Sequence, residues 1–346
     1  MAESVNQQIA DGLVRQQIQA GRVETTLRRE VLEHLAILES DILAALTSAD
    51  PTQFVLLSRR RREVDALMRQ DIDPLVQERY SRIAALLDAA LMRLARHEAG
   101  AIETIINSTA DEQIVEEQPS ERQLRAGVVN GIFPSAAKPT DLATVAADWW
   151  TRAGESLSQR ISDSLTTGVA LEENLVDLTR RVRGTAATAF ADGLMAKGRS
   201  DAQRLLATQT TNAVNESRMA VGDRNPQRLM AVHQSILDSR TSYICLGRNG
   251  LRYSLPDHEP INHAIPYLSG PPYHPNCRSI MTIVVRDGGP VAQETTAQWL
   301  RRQGAAFQDE VLGPTRAKMF RDDRLSPRDL LAATSGRPLT LEELGA

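Results

Sequence analysis

The residues with the richest chemistry lie in the last third of the chain. Cys245 closes the run Asp238-Ser-Arg-Thr-Ser-Tyr-Ile-Cys245, and Pro271-Pro-Tyr-His-Pro-Asn-Cys-Arg278 follows further on, with His274 and Cys277 separated only by Pro275 and Asn276. Thiolate sulfur and imidazole nitrogen are zinc ligands, and a His and a Cys this close in a tight turn can converge with a distant Cys on one tetrahedral ion. Such an ion needs a fourth ligand, and either His263 or His258 in the intervening loop can supply an imidazole. The alternative is structural. Both cysteines are then small buried hydrophobes, His274 satisfies loop carbonyls, and Pro271, Pro272 and Pro275 stiffen the loop.

Other groups nearby suit different roles. Asp238 and Arg240 fall on one side of an extended chain, where each can tie down neighbouring loops by charge-assisted hydrogen bonds or serve as an acid and an oxyanion partner. No nucleophile stands beside them in a known catalytic spacing, which favours a structural ion pair. Asp257-His258, Asn262-His263 and His274-Pro-Asn-Cys277 bear a loose likeness to a His-Asn-His metal nuclease, so a metal-dependent nuclease or related hydrolase centred on His258, His263 and His274 is the competing enzyme reading. Arg59, Arg60, Arg61 and Arg62 form the densest basic run and can contact DNA phosphates, although Glu63 and Asp65 reduce its field. Thr208, Gln209, Asn212 and Asn215 make a polar helical stripe suited to satisfying buried loop backbone.

The elements that carry these residues are mostly helical. Leu27, Val31, Leu35, Leu38, Ile42 and Leu46 recur at helical steps, and Leu75, Ile83, Leu86, Leu87, Ala90, Leu91 and Leu94 mark another buried face, with Asp73 as N-cap and Pro74 at the first helical position. Trp149-Trp150 reads as a packing anchor, and Ser200-Asp-Ala-Gln203 as a capping box opening a helix that ends near Gly222. Leu229 onward and the β-branched run Ile280 to Val285 read as strands of a small sheet, and Ser326-Pro327 and Thr340 to Glu343 as helix starts. The acidic stretch 111–123 and Gly127, Gly131, Pro134 and Pro139 suggest a boundary and mobile loop, with a break near Pro119. The expected fold class is α+β, mainly α. It comprises an N-terminal helical bundle (1–118), a loop and helical connector (119–199), a compact motif domain with a small β-sheet (200–290) and a C-terminal helical tail (291–346).

Composition sets the outer bounds. Of 346 residues 42% are hydrophobic and only 4% aromatic, so cores are built from aliphatic side chains. The formal charge of −4 argues against a surface built wholly to coat nucleic acid. Lys occurs only at Lys138, Lys197 and Lys318; every other one of the 40 basic residues is Arg. Two cysteines are too few for a disulfide framework. The N-terminus lacks a secretory pattern and no stretch is apolar enough to span a bilayer, which predicts a soluble protein made in the cytoplasm.

Three elements together resemble the phage Mu protein F-like family, the minor head or head morphogenesis proteins of tailed bacteriophages. They are Arg204-Leu-Leu-Ala-Thr208-Gln209 continuing through Asn215 and Arg218, then Asp238, Arg240, Thr241 and Cys245, then Pro271, Pro272, His274, Pro275, Cys277 and Arg278. Gln209 stands where relatives often have Glu, and Ser279 where many have a second Cys. The resemblance implies a non-enzymatic minor capsid protein inside the phage head near the portal. It would assist prohead assembly or DNA packaging, in some relatives leave with the genome, and have the portal, scaffold or major capsid protein and phage DNA as partners. The amphipathic N-terminal helices are then expected to supply the apolar surface that meets portal or scaffold.

Overall fold

The computed structural model describes residues 3–49, 57–130, 148–291 and 294–345. The fold is α+β and mainly α. Helices α1 (Val5–Ala49), α2 (Leu57–Leu67), α3 (Asp73–Ala110), α4 (Glu121–Asn130), α5 (Trp149–Ala170), α6 (Leu175–Arg183) and α7 (Leu194–Arg224) come first. Strand β1 (Leu229–Gln234), helix α8 (Tyr243–Arg248) and strands β2 (Arg252–Tyr253), β3 (Pro260–Ile261) and β4 (Ile280–Val285) follow. Helices α9 (Thr296–Arg301), α10 (Ala305–Leu312) and α11 (Pro314–Arg321) and a 3-10 turn at Pro327–Leu330 form the tail. No helix among the described residues is long and apolar enough to cross a membrane.

The chain divides into two compact units, and their boundaries do not follow consecutive segments. One comprises Met1–Gly21, Leu91–Ala146 and Thr208–Ala346, the other Arg22–Ala90 and Ala147–Ala207. The divisions at 118, 199 and 290 therefore give way to boundaries inside α1, α3 and α7. The break expected near Pro119 fails for a specific reason. Ile114, Val115 and Pro119 are buried, Asn107 Oδ1 accepts from Ile114 N (2.9 Å) and Val115 N (2.8 Å), and Asn225 Oδ1 accepts from Glu116 N and Glu117 N. Two asparagines thus pair the backbone of an acidic stretch that composition alone marks as loop. Gly127 lies in α4, whereas Gly131, Pro134 and Pro139 lie outside the described residues.

The second unit is a helical core. Leu27, Val31, Leu35, Leu38, Ile42 and Leu46 on α1 are all buried, as are Tyr80, Ile83 and Leu87 on α3 and Trp150, Leu157, Ile161 and Leu165 on α5. The stripe expected to meet a partner is thus consumed by the protein's own core, and the large apolar side chains that α1 leaves exposed are Val14, Ile18 and Ile37. Trp150 packs against Tyr80 with ring centroids 6.2 Å apart. Asp73 does not cap a new helix: its φ and ψ are helical, and its N–H reaches back to Met68 O through a π-turn at Met68–Ile72. Pro74 has no N–H to give the preceding turn, and the widened turn lets the helix continue through it. Ser200 likewise lies inside α7, which begins at Leu194.

In the first unit the sheet runs β3-β2-β1-β4, all antiparallel, with β1 and β4 in register from Leu229 opposite Val285 to Gln234 opposite Ile280. The outer edge of β4 is closed by side chains rather than by another strand. Asn215 Oδ1 accepts from Met281 N (2.8 Å), Arg218 Nη1 donates to Met281 O (3.3 Å), and Asn6 accepts from Val285 N (2.9 Å) and donates to Val285 O (2.8 Å). Such pairing removes an open edge that would otherwise template further strands.

Candidate metal centre

The site is built where α8 meets the loop preceding β4. Ser242 ends an extended stretch and α8 turns Cys245 inward, leaving it 3% exposed; Cys277, at the end of the Pro-rich loop, is 2% exposed. α8 is braced by the tail. Thr296 Oγ1 donates to Leu246 O (2.8 Å), Tyr243 Oη to Leu312 O (2.9 Å), and Leu246 joins an apolar cluster with Trp299, Leu300, Leu312 and Phe320. Gly247 is required for this contact, because a Cβ there would lie 2.7 Å from Leu331 Cγ. The loop is fixed from the other side by α7. Asn215 Nδ2 donates to Pro271 O (2.9 Å) and Ser279 O (3.3 Å), Thr211 Oγ1 to Cys277 O (3.4 Å), and Thr208 Oγ1 accepts from Asn276 N (3.3 Å). Thr208 and Asn215 of the polar stripe on α7 therefore hold loop backbone, whereas Asn212 donates to Gly127 O within α4.

Cys245, His274 and Cys277 converge, their ligand atoms all within 4.8 Å of one another. Cys245 Sγ lies 3.7 Å from Cys277 Sγ and 3.4 Å from His274 Nε2. Zinc bonds of roughly 2.3 Å to sulfur and 2.0 Å to nitrogen in a tetrahedron give edges of about 3.8 Å and 3.5 Å, so the spacing suits a metal ion. His274 Nδ1 lies 3.0 Å from Pro275 O, which orients the ring with Nε2 toward the sulfurs. Electrostatics favour the ligand form at one thiol. The Cys277 pKa is lowered, first by the hydrogen bond from Cys245 and then by His274; Cys245, which gives that bond, is raised, and His274 is raised by Cys277.

His263 and His258 do not join this group. His263 Nε2 lies 2.8 Å from Arg252 O and its ring stands edge-on to Tyr253, while His258 pairs with Asp223 Oδ1 at 2.9 Å and leans on Tyr267. Strand pairing of β2 with β3 holds that hairpin on the sheet, away from the Cys cluster, so the fourth imidazole expected from it is not supplied. Hydroxyls lie beside the cluster instead: Ser242 Oγ is 2.9 Å from His274 Nε2, and Ser279 Oγ is 3.1 Å from Ser235 Oγ, which donates to Cys245 O. The three histidines of the nuclease reading occupy three separate environments.

Asp238 has a closer partner than the expected Arg240. Arg278 grips both its oxygens at 2.7 Å, holding its pKa down at about 2, whereas the Arg240 side chain is 81% exposed and 3.7 Å away. Arg240 contributes its backbone N–H to Asp238 Oδ1 (2.9 Å), and Thr241 Oγ1 accepts from Asp238 N and donates to Ile236 O. Arg59, Arg61 and Arg62 are exposed on α2 and Arg60 is half-buried.

Two residues that hold the site were missed as such. Arg218 and Glu98 form a fully buried ion pair at 2.6 Å, with Arg218 also donating to Leu13 O, and Arg248, also fully buried, donates to Tyr253 Oη, Pro266 O and Gly336 O. Except for Tyr253, five residues from Arg248, their partners lie well separated in sequence, so residue order does not reveal their burial. No protein-family model, no curated protein and no solved structure matches this chain.

Proposed function

We propose that the protein is a non-enzymatic minor head protein of a tailed bacteriophage, acting inside the head near the portal in prohead assembly or DNA packaging. The observation that carries this reading is convergence. The three sequence elements that resemble the Mu F-like family pack as one knot, with Asn215 and Arg218 on the loop and β4, Asp238 on Arg278, and Cys245 on His274 and Cys277. In this reading the module is a rigid scaffold, and the partners are portal, scaffold or major capsid protein, with phage DNA as a further partner through Arg59 to Arg62.

Co-expression with the head proteins of the same phage tests it. The protein should sediment with proheads, and Val14→Asp with Ile18→Asp, two exposed positions on α1, should reduce that association. Proheads that assemble and package DNA normally without the protein would sink the assignment. Point substitutions are chosen because a deletion of residues 1–110 would also take away Glu98 and the buried Ile9 and Leu13 of the first unit.

For the cluster itself, the reading is a structural zinc held by Cys245, His274 and Cys277, cross-linking α8 to the loop before β4. Metal analysis should give one zinc per chain, lost in the Cys245→Ser, Cys277→Ser double variant. A metal-free, equally stable wild type would leave hydrogen bonds alone to hold the loop.

A further inference from the structure

A second site lies elsewhere in the first unit, on the face of the sheet. Met230 and Val232 of β1 and Val284 of β4 form a small apolar cluster, flanked by Ile261 and Val291, and floor a cavity of about 270 Å³. Arg252 and Arg328 line its mouth. In a protein whose arginines are paired again and again with carboxylates, neither of these guanidiniums makes a hydrogen bond or ion pair among the described residues. Glu294, the carboxylate on the rim, is already gripped at both oxygens by Arg302, each at 2.6 Å. The Nε2 of His263 faces the Arg252 carbonyl, and burial first, then Arg328 and Arg248, lower its pKa.

The cavity thus joins an apolar floor to two unneutralised cations, and a guanidinium recognises a carboxylate by paired, charge-assisted hydrogen bonds. We propose that this cavity binds a small carboxylate carrying an apolar group, with the apolar group on Met230, Val232 and Val284 and the carboxylate between Arg252 and Arg328. The volume admits a branched aliphatic side chain and its carboxylate, so the ligand is either a free acid or the carboxy-terminus of a polypeptide ending in an apolar residue. The site is independent of the Cys245 cluster and of the head-protein reading.

The test uses the full chain labelled at methionine methyls, with the Met230 signal identified through Met230→Leu. N-acetyl-leucine, its neutral amide and a pentapeptide ending in leucine with a free carboxylate are titrated in turn. The acid should move the Met230 signal with an affinity of about millimolar, as befits so few atoms. Binding should weaken with salt. Arg328→Gln, at an exposed position, should leave the spectrum folded and weaken binding roughly tenfold. Tighter binding of the pentapeptide identifies a chain terminus as the source, and binding of N-acetyl-leucine alone identifies a free acid. The proposal is overturned if neither carboxylate moves Met230, if the amide binds as well as the acid, or if Arg328→Gln changes nothing.

Discussion

The two units are held together by different physics. In the unit made of Arg22–Ala90 and Ala147–Ala207, aliphatic stripes from α1, α3 and α5 bury against one another and ion pairs such as Arg199 with Glu39 and Arg160 with Asp201 sit partly exposed around them. In the other unit, α7 alone buries Thr208, Gln209, Thr210, Asn212, Asn215, Ser217 and Arg218. Apolar contacts are non-directional, so each side chain in the first case can be replaced by another of similar volume. A buried polar contact has one partner and one geometry, and its loss strands that partner. The helical unit should therefore tolerate change in proportion to volume, and the polar knot in proportion to what is left unpaired.

The largest effect should come from Arg218→Ala. It leaves Glu98, whose Oε2 has no partner among the described residues, buried and uncompensated, and should cost about 3–5 kcal/mol in denaturant unfolding. Replacing both by Leu should recover much of that loss; a double variant as unstable as the single one would contradict the account. Leu38→Ala in the helical unit removes volume without stranding a polar group, and should cost about 3 kcal/mol, while Leu38→Met should cost under about 1.5 kcal/mol. Asn215→Ala unpairs Met281 N and the carbonyls of Pro271 and Ser279 and should cost about 2 kcal/mol. Its distinguishing mark is faster hydrogen exchange at the Met281 amide, which Leu38→Ala should leave untouched.

The same contrast explains what the amino-acid sequence reveals. Periodicity exposes apolar stripes, so the buried face of α1 and the strand Ile280–Val285 are evident from residue order alone. The polar stripe on α7 is equally visible, as is the helix start at Ser326-Pro327, where the structure adds the reciprocal cap from Asp329. Pairings between distant residues leave no such periodic trace. Nothing near Asn6 indicates that it closes the edge of β4 at Val285, nothing near Glu98 indicates Arg218, and the π-turn that carries the chain through Pro74 has no repeat to betray it. At the cluster, Cys245, His274 and Cys277 were evident as ligand types, but the exclusion of His263 follows only from the pairing of β2 with β3.

Acid and base should separate two buried groups of the polar unit. His233 is fully buried, and burial, then the charge of Arg248, push its pKa down from 6.5 to about 3. The unfolded chain then binds the extra proton between those values, so stability falls as pH drops from 6.5 toward 3. Glu216 runs the other way: burial, then Asp223, push it up from 4.5 to about 7, so the folded state holds the proton and stability falls as pH rises across that range. His233→Phe should remove the first slope and change stability at pH 7 by less than about 1 kcal/mol, and Glu216→Gln should remove the second. Melting curves from pH 3 to 8 that keep both slopes in the double variant would assign them to other groups.

The smallest effect is expected at a position the sequence marks as part of the motif. Arg240 lies two residues from Asp238, but its side chain is exposed and only its backbone N–H bonds the carboxylate, a contact any residue except proline makes. Arg240→Ala should thus stay within about 0.5 kcal/mol of wild type. Arg278→Ala strips Asp238 of its bidentate partner and lets the carboxyl rise from about 2 toward its ordinary range, so this variant should lose stability most clearly above pH 4, where the carboxylate is charged. Equal losses in the two variants would mean that the exposed guanidinium of Arg240 contributes as much to holding Asp238 as the half-buried one of Arg278.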